Sequence, residues 1–166
     1  MKKNSLMEDL RVAELSAMLR EKHLTIATAE SCTGGLIAHR LTLPRGASDY
    51  FTGSIIAYDN RVKEEQLHVE KRVLEAYGAV SRDVAEQMAQ NAAREMGTDC
   101  SIAVSGIMGP SGGTKEKPVG TVWISTFYRG RVLSRCYRFE GDRTTNIQQT
   151  SEQSLLQLME MLEEKL

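Results

Sequence analysis

Apolar residues recur at helical spacing near the start of the chain. Val12, Leu15 and Leu19 lie three or four positions apart, an interval that places side chains on one face of an α-helix. Ser5 and Glu8 form the pattern of a capping box, in which a serine and a glutamate three residues later bond free backbone N–H groups at a helix start. The pattern predicts a helix from residue 5 to about residue 21.

A short strand and a second helix are predicted next. Residues 24–29 contain an isoleucine and two threonines, residue types that favour β-strands. A sharp turn follows at residues 30–32, with Ser31 at its centre. Residues 33–38 then begin a helix, and the two glycines in its first turn permit close packing against another backbone. The segment is therefore predicted as strand, turn and helix, with a serine in the turn.

The rest of the chain alternates strands with helices. Helices are predicted in a short charged segment that contains Lys63, between a capping Ser81 and a terminating Gly97, and from Asp142 onward. Strands are predicted at residues 53–58, 101–104, 119–127 and 132–139, the last two forming a hairpin. This order predicts an α/β fold, a three-layer α/β/α sandwich with a mixed sheet, in a single domain covering residues 1–166.

Composition and charge exclude several classes of partner. The chain has 166 residues, 41% of them apolar, which is enough for one substantial core. Its net charge of -1 gives no basic surface for nucleic acid or an anionic membrane, so neither is predicted as a partner. The chain shows no membrane-spanning run and no signal peptide, and Cys32, Cys100 and Cys136 show no paired spacing. A reducing, cytoplasmic location is expected.

Ser31 is the first candidate for chemistry. Free backbone N–H groups and the dipole at the start of the following helix would favour an oxyanion formed at this serine. The alternative is that Ser31 or Thr33 only caps that helix. Cys32 is a competing nucleophile, which we interpret instead as a small buried side chain, like Cys100 and Cys136, because no partner residue accompanies it in a motif.

A base for this serine is not obvious among the histidines. His23, His39 and His68 have no acidic residue in a motif that would orient them, which disfavours a Ser-His-Asp triad. Lys63 is an alternative base if burial lowers its pKa, and Tyr58, five residues earlier at a strand end, could relay the proton. A solvated strand edge is the other interpretation of this pair. Neither the cysteines nor the histidines show metal-ligand spacing, so no metal is predicted.

A glycine-rich loop follows the third strand. Residues 106–113 read Gly-Ile-Met-Gly-Pro-Ser-Gly-Gly, and such glycines allow several backbone N–H groups to point at one anion. The loop lacks the Gly-Lys-Ser/Thr ending of a nucleoside-triphosphate site, and no G-x-G-x-x-G pattern opens a helix. It is predicted to be either a plain turn or a cradle for a phosphate or carboxylate of another kind.

Three motifs follow one another along the chain: residues 29–35 (Ala-Glu-Ser-Cys-Thr-Gly-Gly), residues 53–58 with Asn60 and Lys63, and residues 106–113 with 117–120 (Lys-Pro-Val-Gly). Together and in this order they resemble one known family, the C-terminal domain of the competence/damage-inducible protein CinA and its stand-alone relatives, the nicotinamide mononucleotide amidohydrolases. The resemblance runs from about residue 6 to the C-terminus and implies an α/β/α fold, no metal or cofactor, and a homo-oligomer.

The resemblance also implies a reaction and a set of site residues. Ser31 would be the nucleophile, Lys63 and Tyr58 would complete the catalytic group, and the substrate would be a small nucleotide. The reaction would be deamidation of nicotinamide mononucleotide to nicotinate mononucleotide and ammonia, in pyridine nucleotide salvage. The residues implied in substrate binding are Glu30, Thr33, Gly34, Gly35, Asn60, Ser105, Gly106, Gly109, Gly112, Gly113 and Arg143, of which Arg143 and the loop from Ser105 would hold the ribose phosphate.

The chain departs from the family pattern at a few positions. Met108, Ser54 and Asp59 stand where alanine, glycine and a small polar residue are more common, and residues 146–147 lack the usual basic side chain. The alternative function is a nucleotide-binding or assembly module of the competence/damage-inducible type that keeps the pocket without useful turnover.

Overall fold

One mixed sheet of five strands forms the centre of the computed structural model, which describes the backbone of residues 2–163 and the side chains of residues 10–163. The strands are β1 Ile26–Glu30, β2 Phe51–Ile56, β3 Cys100–Gly106, β4 Thr121–Tyr128 and β5 Arg131–Arg138. Their order across the sheet is β2-β1-β3-β4-β5. β1 pairs in parallel with β2 and β3, whereas β4 is antiparallel to both of its neighbours.

Helices cover both faces of this sheet. The α-helices are α1 Lys2–Glu21, α2 Leu36–Thr42, α3 Asn60–Leu67, α4 Lys71–Tyr77, α5 Arg82–Met96 and α6 Arg143–Glu163, and a 3₁₀ helix spans Ala47–Asp49. One core contains residues of α1, α2 and α6, and the other contains residues of α3, α4 and α5. This arrangement confirms the predicted α/β/α sandwich with a mixed sheet. In the part of the chain that the structure describes, no helix is both long and apolar enough to cross a membrane.

Strand β3 shows how the two cores share the sheet. Ile102 and Val104 belong to the core on the α1 and α6 side, whereas Ala103 belongs to the core on the α5 side. Ser101 also faces α5, where its hydroxyl donates a 2.6 Å hydrogen bond to the carbonyl of Ala89. Both faces of the strand are buried, so its sequence is largely apolar instead of alternating.

Residues 33–35, predicted as the start of a helix, form a turn instead, and α2 begins at Leu36. The predicted boundaries of α5 are correct, because caps define them. Ser81 caps α5 by accepting a hydrogen bond from the N–H of Val84, and Gly97 ends the helix in the left-handed conformation. Helix α1 begins before Ser5, and the side chains of the predicted capping box at residues 5–8 lie outside the described residues.

Helix α4 was not predicted from the sequence. It has seven residues, about two turns. Of these residues, only Val73 and Leu74 are buried. Seven residues are too short a window for the spacing of apolar residues to distinguish a helix from a loop. The helix nevertheless contributes both side chains to the core shared with α5.

Gly120 lies where β4 begins against the end of β5, and it offers a test of this packing. Gly120 and Gly97 both have positive φ, +89° and +61°, but only at Gly120 would a Cβ overlap the backbone carbonyl of Phe139. Gly97→Ala should lower the free energy of unfolding by about 1–2 kcal/mol, the cost of the left-handed conformation for an L-residue. Gly120→Ala should lower the free energy of unfolding by more than Gly97→Ala does, and urea denaturation of the two variants measures both values. Equal losses would contradict the close approach.

Candidate active site

Ser31 and Lys63 are in direct contact. Ser31 follows β1, and Lys63 lies on α3, which follows β2. Because β1 and β2 are parallel neighbours, their carboxyl ends meet at the same edge of the sheet. The Nζ of Lys63 lies 3.0 Å from the Oγ of Ser31, and the two residues are only 1% and 8% exposed. The pair is therefore a buried serine with an amine in hydrogen-bond contact.

The other contacts of the Lys63 amine are two backbone carbonyls. Nζ donates to the carbonyl of Ala57 at 2.7 Å and to that of Tyr58 at 3.2 Å. A neutral amine has two N–H donors and one lone pair. When the two carbonyls take the donors, the lone pair is left facing the hydroxyl proton of Ser31. The geometry suits an amine that accepts a proton from this serine.

Burial lowers the pKa of Lys63, because desolvation penalises the ammonium form. The charge of Asp59 opposes this decrease, but Asp59 is exposed to solvent and its carboxylate also accepts a hydrogen bond from the N–H of Arg61. Burial raises the pKa of the neighbouring Cys32 thiol to about 12, so this thiol is neutral at pH 7. Among the residues that the structure describes, no group in contact with the amine therefore carries a full negative charge that would hold its proton.

A cavity of about 290 Å³ opens beside this pair. Most of the site residues predicted from the sequence line it together. Ile107, Met108 and Ser111, in the loop predicted to hold the phosphate, line it as well, and so do Cys32, Ala79 and Val80, which were not predicted in substrate binding. The predicted residues in the lining are Ser31, Tyr58, Asn60, Lys63, Ser105, Gly106, Gly109, Gly112 and Arg143. Strand ends, the glycine loop and the start of α6 thus meet at one cavity.

Arg143 joins three parts of the wall. As the first residue of α6, it donates from Nη1 to the carbonyl of Gly109 at 2.9 Å and from Nη2 to the hydroxyl of Tyr58 at 3.0 Å. The Tyr58 side chain is exposed, and it is the carbonyl of this residue that contacts Lys63. A proton relay through the Tyr58 hydroxyl stays a prediction.

Glu30 and Thr33 do not line the cavity. Glu30 is fully buried, and its carboxylate accepts hydrogen bonds from the Thr33 hydroxyl and from the backbone N–H groups of Gly35, Ile37 and Ala38. Thr33 is itself 5% exposed. The structure therefore does not bring Glu30 and Thr33, both predicted in substrate binding, to the cavity lining, because these side chains bond to each other within the protein.

The start of α2 is likewise not directed at Ser31. Its backbone donors point to the Glu30 carboxylate, which contradicts the expectation that they would stabilise an oxyanion. The amide of Cys32, next to the nucleophile in sequence, is not among the donors bound to Glu30. Gly34, Gly35 and Gly113, also predicted in substrate binding, lie outside the cavity lining.

The departures from the family pattern have structural roles here. Ser54 accepts a 2.7 Å hydrogen bond from Thr28 on the neighbouring strand. Asp59 caps α3, and Met108 is buried in the core while it also lines the cavity. Asn146, which is fully buried on the first turn of α6, donates to the carbonyl of Met108 at 3.1 Å. Of these contacts, the one between Asn146 and Met108 holds a wall of the cavity in place.

One wall of the cavity, and one residue that supports another wall, were missed from the sequence. Ala79 and Val80 line the cavity from the loop before α5, held there by a 2.8 Å hydrogen bond from Ser105 to the carbonyl of Ala79. Asn146 could have been suspected as a polar residue on the buried stripe of α6. Among the residues that the structure describes, no group of three or more histidine, cysteine, aspartate or glutamate side chains could hold a metal ion.

Comparison with known proteins gives a consistent set of relatives. A family model described as the CinA C-terminal domain matches residues 9–162. A CinA-like protein of Dictyoglomus thermophilum is 49% identical over 126 residues, which cover 76% of this chain and 31% of the relative. The chain spans about a third of the length of the curated relatives it matches.

Solved structures extend the similarity to the fold. The competence/damage inducible protein CihA from Agrobacterium tumefaciens has a TM-score of 0.90 and 37% identity, with 92% of this chain and 94% of that chain covered. The competence damage-inducible protein A (ComA) from Klebsiella pneumoniae has a TM-score of 0.92 and 30% identity, with 96% and 99% covered.

Thiol labelling tests the environment of Cys32. With a pKa of about 12, only about one Cys32 thiol in ten thousand is ionised at pH 8, and the thiolate is the reactive form. Cys32 and Cys100 are buried as predicted, whereas the prediction of a buried Cys136 is wrong, since its place on the edge strand β5 leaves it exposed. Iodoacetamide should therefore label Cys136 of the native protein and leave Cys32 and Cys100 unmodified. Peptide mass spectrometry would locate the label, and labelling in urea is the positive control. Rapid native labelling of Cys32 would contradict the burial described here.

Proposed function

The chain belongs to the CinA C-terminal domain family, and from the geometry of its cavity we propose that it hydrolyses the carboxamide of nicotinamide mononucleotide. The products are nicotinate mononucleotide and ammonia, a step of pyridine nucleotide salvage. The observation that carries the proposal is the 3.0 Å contact between the buried amine of Lys63 and the hydroxyl of Ser31. A serine activated by an adjacent base can attack an amide through a covalent intermediate.

The first half of the reaction forms an acyl-enzyme. Ser31 Oγ attacks the carboxamide carbon while its proton passes to the neutral Nζ of Lys63. The resulting ammonium then donates a proton to the amide nitrogen, the C–N bond breaks, and ammonia leaves. The amide of Cys32 is the backbone donor we assign to the oxyanion, because it follows the nucleophile and is not bound to Glu30.

The second half releases the acid. A water molecule occupies the place of the departed ammonia and gives a proton to Lys63 as it attacks the ester carbon. The ester bond breaks, Ser31 recovers its proton from Lys63, and nicotinate mononucleotide leaves. The same amine therefore acts as base and acid in each half, which requires a pKa closer to neutrality than that of an exposed lysine.

Arg143 is the candidate for recognition of the substrate phosphate. Its two described acceptors, the carbonyl of Gly109 and the hydroxyl of Tyr58, are uncharged, so its positive charge remains available to an anion. A guanidinium can bond two phosphate oxygens at once. Gly109 and Gly112 line the same cavity and can bring backbone N–H groups close to the phosphate.

A second candidate is a nucleotide-binding or assembly module. The relatives of known structure bear competence/damage-inducible names, and such a module would bind the nucleotide in this cavity without turning it over. Ligand binding without product release would favour it.

Incubation of the purified protein with nicotinamide mononucleotide tests the reaction. Ammonia and nicotinate mononucleotide should appear in equal amounts, measured by an enzyme-coupled ammonia assay and by chromatography. Ser31→Ala should abolish both products while leaving the fold and ligand binding nearly intact, and Cys32→Ala should stay active. Binding without ammonia release would refute the proposed activity. Turnover by Ser31→Ala within a few-fold of wild type would refute the nucleophile assignment.

The pH dependence of the rate tests the role of Lys63. Because burial lowers the pKa of Lys63 below the 10.5 of an exposed lysine, kcat/KM should rise with pH through that lowered pKa, as the free amine forms. Lys63→Arg should be nearly as inactive as Lys63→Ala, since arginine does not lose its proton. If Lys63 only attracted the phosphate, Lys63→Arg would keep most of kcat and the change would appear in KM.

A further inference from the structure

The Glu30 carboxylate collects hydrogen bonds behind the nucleophile. Oε1 accepts from the Thr33 hydroxyl at 2.6 Å and from the N–H groups of Gly35 at 3.2 Å and Ile37 at 3.0 Å. Oε2 accepts from the N–H of Ala38 at 2.8 Å and lies 3.3 Å from the Thr28 hydroxyl. Glu30 is fully buried and absent from the cavity lining. Its side chain therefore serves the protein and not a ligand.

The segment held by this carboxylate contains the nucleophile. Ser31 is the next residue, and the turn from Ser31 to α2 includes Gly34 and Gly35, both with positive φ. Glycine gives a turn its required shape but leaves it flexible. The hydrogen bonds to Glu30 join the end of β1 to the first turn of α2 and so hold both ends of this flexible turn.

The backbone of Glu30 also reaches the base. Its carbonyl accepts a 2.8 Å hydrogen bond from the N–H of Ala57, and the carbonyl of Ala57 accepts from the Lys63 amine at 2.7 Å. The side chain of Glu30 thus fixes the segment that carries Ser31. Its main chain is hydrogen-bonded to Ala57, the residue whose carbonyl accepts from Lys63. Glu30 therefore contacts both the turn that carries Ser31 and the residue that orients Lys63.

We propose that Glu30 is a positioning residue, whose buried carboxylate fixes the Ser31 turn so that the serine hydroxyl stays in hydrogen-bond contact with Lys63. This inference rests on the proposed function, because its effect on kcat is measured with nicotinamide mononucleotide as the substrate. A carboxylate is suited to the task because it only accepts hydrogen bonds, and its negative charge is favourable at a helix start. Glutamine would present an NH₂ group to at least one of the donors that now meet an oxygen.

Glu30→Gln is the informative variant because it preserves size. A misplacement of about 1 Å in a catalytic group can lower a rate by about 100-fold, so we expect kcat to fall by roughly 10- to 100-fold. KM should change by less than about 3-fold, since Glu30 does not touch the cavity. The pH at which the rate rises should stay in place, because the described contacts of the Lys63 amine do not include the Glu30 carboxylate.

Glu152→Gln is the matched control. Glu152 is another largely buried carboxylate that holds the same helix, through a 2.8 Å ion pair between α6 and Arg40 of α2, but it lies away from the Ser31 turn. It should lower the melting temperature and leave kcat unchanged. If Glu30→Gln behaved in the same way, with wild-type kcat and only a lower melting temperature, the positioning role would be refuted.

Thr33→Val tests the same role of Glu30 if the Glu30→Gln variant does not fold. It removes only the 2.6 Å hydrogen bond to Oε1, so kcat should fall by a smaller factor with KM again unchanged. Wild-type kcat in this variant would count against the proposal.

Labelling by a fluorophosphonate tests the role of Glu30 without nicotinamide mononucleotide, so the result does not depend on the proposed substrate. The reagent phosphonylates activated serines, so Ser31 should react rapidly in the wild type and at least about 10-fold more slowly in Glu30→Gln. A wild-type protein that leaves nicotinamide mononucleotide intact but reacts at Ser31 would refute the substrate while the labelling comparison still tests Glu30. A wild-type Ser31 that fails to react would overturn both proposals.

Discussion

The removal of the Lys63 amine from water is the constraint on which the site depends. Transfer of a charged group into a poorly solvated position is costly unless it is paired or loses its charge. The contacts of this amine are two carbonyls and a hydroxyl, which solvate either protonation state without fixing the charge. The parallel pairing of β1 and β2 makes this possible, since it places the carboxyl ends of the two strands side by side. The cavity, the loop and α6 are arranged around this pair.

Much of the site could be predicted from the sequence because its parts follow strands. Ser31 comes after β1, Tyr58 and Lys63 come after β2, and the glycine loop comes after β3. In an α/β sheet these ends meet, so the order of the elements is enough to bring the residues together. The similarity to one family added Arg143, which no strand-end argument would have placed opposite Tyr58. The homo-oligomer and the cytoplasmic location stay predictions.

What the sequence could not give is the direction in which a polar side chain points. Glu30 and Ser31 are adjacent at the end of a strand, and successive residues of a strand face opposite sides. One therefore faces the cavity and the other faces α2, but the spacing alone does not say which. The start of α2 was likewise assigned to an oxyanion, because the sequence could not show that a carboxylate already occupies its donors. Helix α4 was missed because its seven residues are too few to show a helical apolar period.

The attachment of the glycine loop to α6 has a consequence for local unfolding. Asn146 bonds the loop carbonyl of Met108, and Arg143 bonds that of Gly109. Helix α6 itself packs against β4, α1 and α2. Surface loops usually open at little cost, whereas a loop bonded to a core helix shares the opening free energy of that helix. The glycine loop should therefore open only when α6 opens from the core. A ligand thus binds to a cavity that is already formed.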